Sequence, residues 1–150
     1  MKKALKYLFF VLAALFVGIQ FIPVERTNPP VLADYNGPSE VQKVLRNSCY
    51  DCHSNETLWP WYSKIAPVSW LVAHDVKEGR EELNFSNWPK YASDAHLVEE
   101  IYEEVAEGEM PMPIYLITHP SAKVSPEALR LLKKSFAGNN ASKESDDEHH

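Results

Sequence analysis

The sequence predicts an all-α fold, and three observations carry that reading. Apolar residues recur at helical spacing in four separate stretches between residues 39 and 138. Proline is abundant, at 11, and glycine scarce, at 5, which suits helices joined by stiff turns better than a glycine-rich β fold. Strand-like alternation is missing apart from a short run, Ile114 to Ile117. The length of 150 residues fits one domain, and 45% apolar with 11% aromatic residues is enough for a core. A formal charge of −6 argues against nucleic acid as a partner, which calls for a basic surface. The shortage of glycine leaves no phosphate-cradling loop for a nucleotide enzyme.

The elements follow in chain order. Lys2, Lys3 and Lys6 precede an apolar run from Tyr7 to Ile22, broken only by Gly18 and Gln20. A basic start before a hydrophobic stretch is the pattern of a secretory signal or signal anchor. Counting from Ala4 to Val24, with Lys6 snorkelling, brings the run near the roughly 20 residues of a membrane span. The small-residue site Val31-Leu32-Ala33 lies well past the run, which favours an uncleaved anchor over 1–24. The lysines then stay on the cytoplasmic side and the rest of the chain is exported. Residues 25–37, with Pro29, Pro30 and Gly37, read as an extended linker holding the domain off the membrane. The folded domain is expected over 38–138, and the acidic stretch 139–150 as a disordered tail.

Four helices are expected within the domain. Ser39 with Gln42 matches a capping box, ahead of Val41, Val44 and Leu45 on one face. Pro67 suits the first position of a second helix, whose stripe is Val68, Leu71, Val72 and Val76 and which ends near Leu83. Asp94 caps a third, with Leu97, Ile101 and Val105 on one face and Gly108 as its stop. Ser125-Pro126-Glu127 opens a fourth, with Leu129, Leu132 and Phe136 as its apolar face and Gly138 as its end.

The chemistry sits where the first of these four helices ends. Cys49-Tyr50-Asp51-Cys52-His53 is C-x-x-C-H, the spacing of a c-type haem attachment site. The thiols add across the two haem vinyl groups as thioethers, and a separation of three positions puts both on one side of a helical turn. His53 follows at once, so its imidazole reaches the iron as the proximal ligand. These are the only cysteines in the chain. The rival readings are weaker. A thioredoxin-like pair needs a βαβ setting and a structural zinc site needs a fourth ligand, while a plain disulfide stays as the bland alternative.

Several segments resemble known families. The helix before the motif, the C-x-x-C-H, a proline-flanked methionine downstream and a last amphipathic helix are similar to the class I cytochrome c fold. Asn47 to Asn55, Trp59-Pro60-Trp61-Tyr62, Ala66 to Trp70 and Gly108-Glu109-Met110-Pro111 resemble a bacterial, membrane-anchored, cytochrome c-like haem-binding domain family. The resemblance implies one covalent haem c, with the first and last domain helices crossing. It implies a methionine from the loop after the third helix as distal ligand, which falls on Met110. Met112, His119 and an open or water-bound site stay as alternatives. It also suggests that a proline carbonyl after the motif, Pro60 or Pro67, accepts from the other nitrogen of His53.

Further candidates are less specific. Trp59, Trp61, Tyr62 and Trp70 could wall the haem or serve as core and contact residues. Arg80 and Lys64 are candidates for the haem propionates, with solvated charges as the plainer reading. His74 and His96 read as surface histidines, as do the terminal His149 and His150. Glu99, Glu100, Glu103, Glu104, Glu107 and Glu109 mark an acidic helix face that could steer a basic redox partner. No Ser/His/Asp set argues for hydrolysis. The expectation is a monohaem c-type cytochrome on the periplasmic side of a bacterial inner membrane, carrying electrons between redox proteins and not an independent catalyst. The alternatives are a haem-based sensor with an exchangeable sixth ligand, or the haem subunit of a peroxidase-like enzyme.

Overall fold

A computed structural model of the chain describes residues 2–144, with side chains as far as Phe136. The described residues are helical, with one isolated parallel bridge between Ala33 and Asn87. The helices are α1 (Lys2–Ile19), α2 (Ser39–Ser48), α3 (Tyr50–His53), α4 (Val68–Glu82), α5 (Ala95–Glu107), α6 (Pro113–Thr118) and α7 (Pro126–Glu144). Short 3-10 turns at Trp61–Lys64, Trp88–Lys90 and Pro120–Ala122 join them.

The four expected domain helices are α2, α4, α5 and α7, and their ends show which signals act. Asp94 caps α5 by accepting from the His96 and Leu97 amides at 3.0 and 3.1 Å. Gly108 closes that helix at φ 84°, the left-handed conformation in which glycine carries no Cβ penalty. Ser125 Oγ accepts from the Ala128 amide at the start of α7. The Ser39/Gln42 capping box does not form. Pro38 occupies the cap of α2, and the Gln42 side-chain Nε2 donates past it to the Gly37 carbonyl. Gly138 does not end α7 either: the helix continues to Glu144, so part of the expected tail is ordered helix, and residues 145–150 lie outside the described residues. The Ile114–Ile117 run is not a strand. Pro113 starts α6 through it.

The core lies among α2, α5 and α7. Val41 and Leu45 of α2, Val98 of α5, and Leu132 and Phe136 of α7 are buried there. Aromatic side chains from the connections complete it. Tyr35 meets Phe85, Trp88 and Phe136 edge-on, and Phe85 stacks on Tyr50 at 5.6 Å between centroids. Helix α4 stands apart from this core and buries Ser69 and Val76. Its expected stripe is only half right, because Val68 and Leu71 are exposed.

Residues 25–37 are extended but are no spacer. The Leu32 and Ala33 amides donate to the Ser86 carbonyl, Tyr35 N–H to the Phe85 carbonyl, and Trp88 N–H to the Ala33 carbonyl. Tyr35 itself belongs to the core. The segment therefore lies along the domain, and the folded unit begins before residue 38.

Arg80 locks three parts of this arrangement. From α4 its guanidinium donates to the Ser54 carbonyl (2.7 Å), the Thr27 carbonyl (2.9 Å), Asn28 Oδ1 (2.9 Å) and Thr57 Oγ1 (2.8 Å). These bonds leave it engaged in structure, not as a haem propionate partner. Replacing it by methionine keeps the stem and removes every donor. Arg80→Met is expected to lower stability by about 2 kcal/mol, the scale of charged hydrogen bonds lost at a partly buried site. A urea midpoint at unchanged slope measures it.

Candidate functional site

Helix α2 runs almost without a break into the motif. The Cys49 amide donates to the Leu45 carbonyl, and the Cys49 carbonyl accepts from Cys52 and His53, closing the turn α3. Cys49, Cys52 and His53 thereby face one cavity of about 400 Å³, the scale of a small-molecule or cofactor site. The floor is apolar: Leu83 and Phe85 after α4, Leu97, Ile101 and Val105 of α5, and Met110, Pro111 and Met112 from the next loop. Tyr115 of α6 closes one side.

His53 is held by the end of α4. Its Nδ1 donates to the Gly79 carbonyl at 2.8 Å, with the Leu83 carbonyl at 3.2 Å. Backbone carbonyls can only accept, so the Nδ1–H tautomer follows, and Nε2 has no hydrogen-bond partner among the described residues. Burial holds the imidazole below its ordinary pKa, against the two carbonyl bonds, so it stays neutral with a free lone pair. The expected carbonyls of Pro60 and Pro67 are not the acceptors. They lie before α4, whereas its last turn is what reaches the ring.

Gly79 makes that approach possible, and the motif search did not single it out. A Cβ at this position would meet the Cys52 carbonyl oxygen at 2.9 Å. Helix α4 thus packs backbone to backbone against the motif. A glycine within a helix, which costs about 1 kcal/mol relative to alanine, was the available signal.

The thiols are free and partly exposed, yet poorly solvated. Burial pushes Cys49 up to about 12, with the neighbouring Cys52 adding to it. Burial and the Asp51 and Asp75 carboxylates push Cys52 up to about 11. Both are thiols, not thiolates, at neutral pH, which weighs against a reactive redox pair.

A bond crosses the cavity wall. Tyr115 Oη donates to Asp51 Oδ2 at 2.8 Å, while Asp51 Oδ1 accepts from the Leu58 amide. Burial and the Asp51 carboxylate raise the Tyr115 phenol above its ordinary range, so it stays a donor. The Tyr115 amide in turn donates to the Met112 carbonyl. At the other end of that loop, the Glu109 and Met110 amides both donate to the Glu104 carbonyl. The methionine loop is therefore pinned at both ends, one of them on the motif itself.

Other candidates lie elsewhere. His119 is outside the cavity lining, stacked on the outer side chain of Tyr115 at 4.2 Å between centroids. His74 and His96 sit exposed beside Glu78 and Glu100. Trp59, Trp61, Tyr62 and Trp70 do not line the cavity, and its aromatic walls are Phe85 and Tyr115. Lys64 is absent from the lining too. The charged side chains there are Asp51, Asp75, Glu78, Glu82, Glu100 and Glu104, all acidic.

Among the described residues no group of three or more His, Cys, Asp or Glu side chains is placed to hold a metal ion. A porphyrin iron asks less of the protein, because the ring supplies four of its ligands and the chain only axial ones. A half-buried neutral imidazole whose Nε2 has no partner among the described residues, at the wall of an apolar cavity shared with two thiols, fits that demand. The helical fold and this cavity suit a haem-binding protein. The chain belongs to the haem-binding domain family, whose model matches residues 14–137. No curated protein and no solved structure matches it.

Gly79→Ala is expected to cost about 2 kcal/mol, as overpacking against backbone does. It should also lengthen the His53–Gly79 bond. Urea unfolding measures the first, and a faster-exchanging His53 Nδ1 proton in nuclear magnetic resonance the second.

Proposed function

We propose that the protein is a monohaem c-type cytochrome, tethered to the membrane, that passes single electrons between redox proteins. The observation that carries this is the shared cavity of Cys49, Cys52 and His53, with His53 Nδ1 committed to carbonyls and Nε2 free. Cys49 and Cys52 would hold the haem as thioethers, each thiol supplying its sulfur and its hydrogen to one vinyl group with no leaving group. His53 Nε2 would hold the iron, and Met110, with Met112 as the alternative, would supply a second ligand, since both methionines line the cavity from the pinned loop. When bound, haem supplies one-electron exchange between ferric and ferrous iron. The chain's part is to exclude water with its apolar floor, hold the ligands and offer a docking rim. The six carboxylates of the lining support a basic partner, drawn to the cavity mouth by charge.

The helical domain with its packed α2 and α7 supports a class I cytochrome c-like arrangement. The tether is α1, which buries none of its side chains. Among the described residues no helix is long and apolar enough to cross a membrane. Three lysines occupy the start of α1, so its lysine-free part, Tyr7–Ile19, is about 20 Å long against a hydrocarbon core of roughly 30 Å. The basic start and apolar run support the exported, periplasmic face of a bacterial inner membrane as the domain's place.

Two tests follow. Cys49→Ser with Cys52→Ser is expected to abolish haem staining on a denaturing gel after expression in a host that ligates haem c. A colourless wild-type product with free or bridged thiols would end the proposal. Met110→Ala is expected to turn the ferric spectrum high-spin and open the ferrous iron to carbon monoxide, while Met112→Ala leaves it low-spin. Prompt carbon monoxide binding by the wild type would favour the haem-based sensor instead.

A further inference from the structure

The tether proposed above has a geometric consequence for the domain it carries. Leu8, Phe9, Phe10, Leu12, Leu15 and Phe16 of α1 are exposed. The end of the helix, by contrast, is fixed. The Gln20 side chain accepts from the Ala66 amide at 2.9 Å and donates to the Ala66 carbonyl at 3.1 Å. Six residues on, Arg26 donates to the Ser63 carbonyl at 2.9 Å. The helix therefore leaves the domain at the segment 58–71.

That segment is itself apolar on the outside. Leu58 is 79% and Trp61 73% exposed, and Ile65, Val68, Trp70 and Leu71 are exposed as well. The turn Trp61–Lys64 packs on α4, whose first turn carries Val68, Trp70 and Leu71. Scattered exposed apolar residues need no explanation, but six within one short segment at a helix exit do. Lys64 is the sole charged residue from Leu58 to Leu71, and Arg26 stands beside it; no carboxylate interrupts the stretch. The acidic side chains line the cavity instead.

Whatever apolar phase covers α1 as far as Gln20 must reach Ala66, and with it this segment. Indole rings with one polar N–H suit the headgroup level of a bilayer, and Lys64 and Arg26 suit anionic lipid phosphates. A short apolar helix also favours drawing the domain down onto the surface, since an anchor below the bilayer's thickness is accommodated near its ends. We propose that Leu58, Trp61, Ile65, Val68, Trp70 and Leu71 form a bilayer-docking surface that seats the haem domain on the lipid headgroups. This rests on the tether reading, and the test separates the two.

The haem-loaded full chain is mixed with phosphatidylcholine–phosphatidylglycerol vesicles, with or without bromine on the upper acyl carbons, and floated on a density gradient. The chain is expected to float. Its tryptophan emission on brominated lipid should fall by at least half, because Trp61 and Trp70 lie at the interface and the half-buried Trp59 stands between Leu58 and Trp61. Trp61→Phe with Trp70→Phe, both exposed positions, should float equally and show a much smaller bromine-dependent fall. Flotation without a fall in the wild type overturns the docking surface and leaves the tether standing. An undiminished fall in the double variant overturns it too, as does a wild type whose emission is unchanged because a second copy covers the patch. Failure to float overturns the tether and the docking surface together.

Discussion

The hydrogen bond from His53 Nδ1 to the Gly79 carbonyl, 2.8 Å long, is the contact on which the rest of the site depends. It joins the motif turn to the last turn of α4, fixes which ring nitrogen carries the proton, and leaves the other free. It requires the two backbones to approach until nothing larger than hydrogen fits at residue 79. Arg80, the next residue, then ties the same turn of α4 to residues 27–28 and 54–57. One stretch of helix thus orients the imidazole and staples the chain around it. A hydrogen bond to the far nitrogen of an imidazole sets the orientation and basicity of the nitrogen left free.

The cavity has two electrostatic layers. Inside, poor solvation keeps His53 uncharged and both thiols protonated. At the lining's charged positions the side chains are all carboxylates, with no cation to balance them. Charge on the carboxylates opposes added negative charge on anything held there, which works against reduction of a bound iron. In the proposed reading a methionine ligand would work the other way, so that bonds and field would act on one equilibrium from opposite sides.

Much of this was legible in the sequence, for stated reasons. Asp94, Gly108 and Ser125 act locally, so their signals survived unchanged into the ends of α5 and α7. The C-x-x-C-H spacing needs only one turn of helix, and the turn forms. What failed depended on contacts between distant segments. Tyr35 reads as a linker residue until Phe85, Trp88 and Phe136 arrive from far along the chain to surround it. Val68 and Leu71 carry a helical stripe, but periodicity does not say which neighbour covers it, and none does. The resemblance points to a proline carbonyl after the motif as the acceptor for His53, whereas the acceptor is Gly79, because a glycine's role depends on what approaches it. Tyr115 was invisible for the same reason: its partner Asp51 is 64 residues away.

The extended segment from Arg26 to Tyr35 fastens α1 to the body at several points instead of letting it swing. A rigid stalk transmits attitude as well as position. Any surface that grips α1 therefore sets the compass bearing of the cavity mouth. A molecule arriving at such a surface would meet the mouth at one fixed attitude, not at one set by slack in this chain.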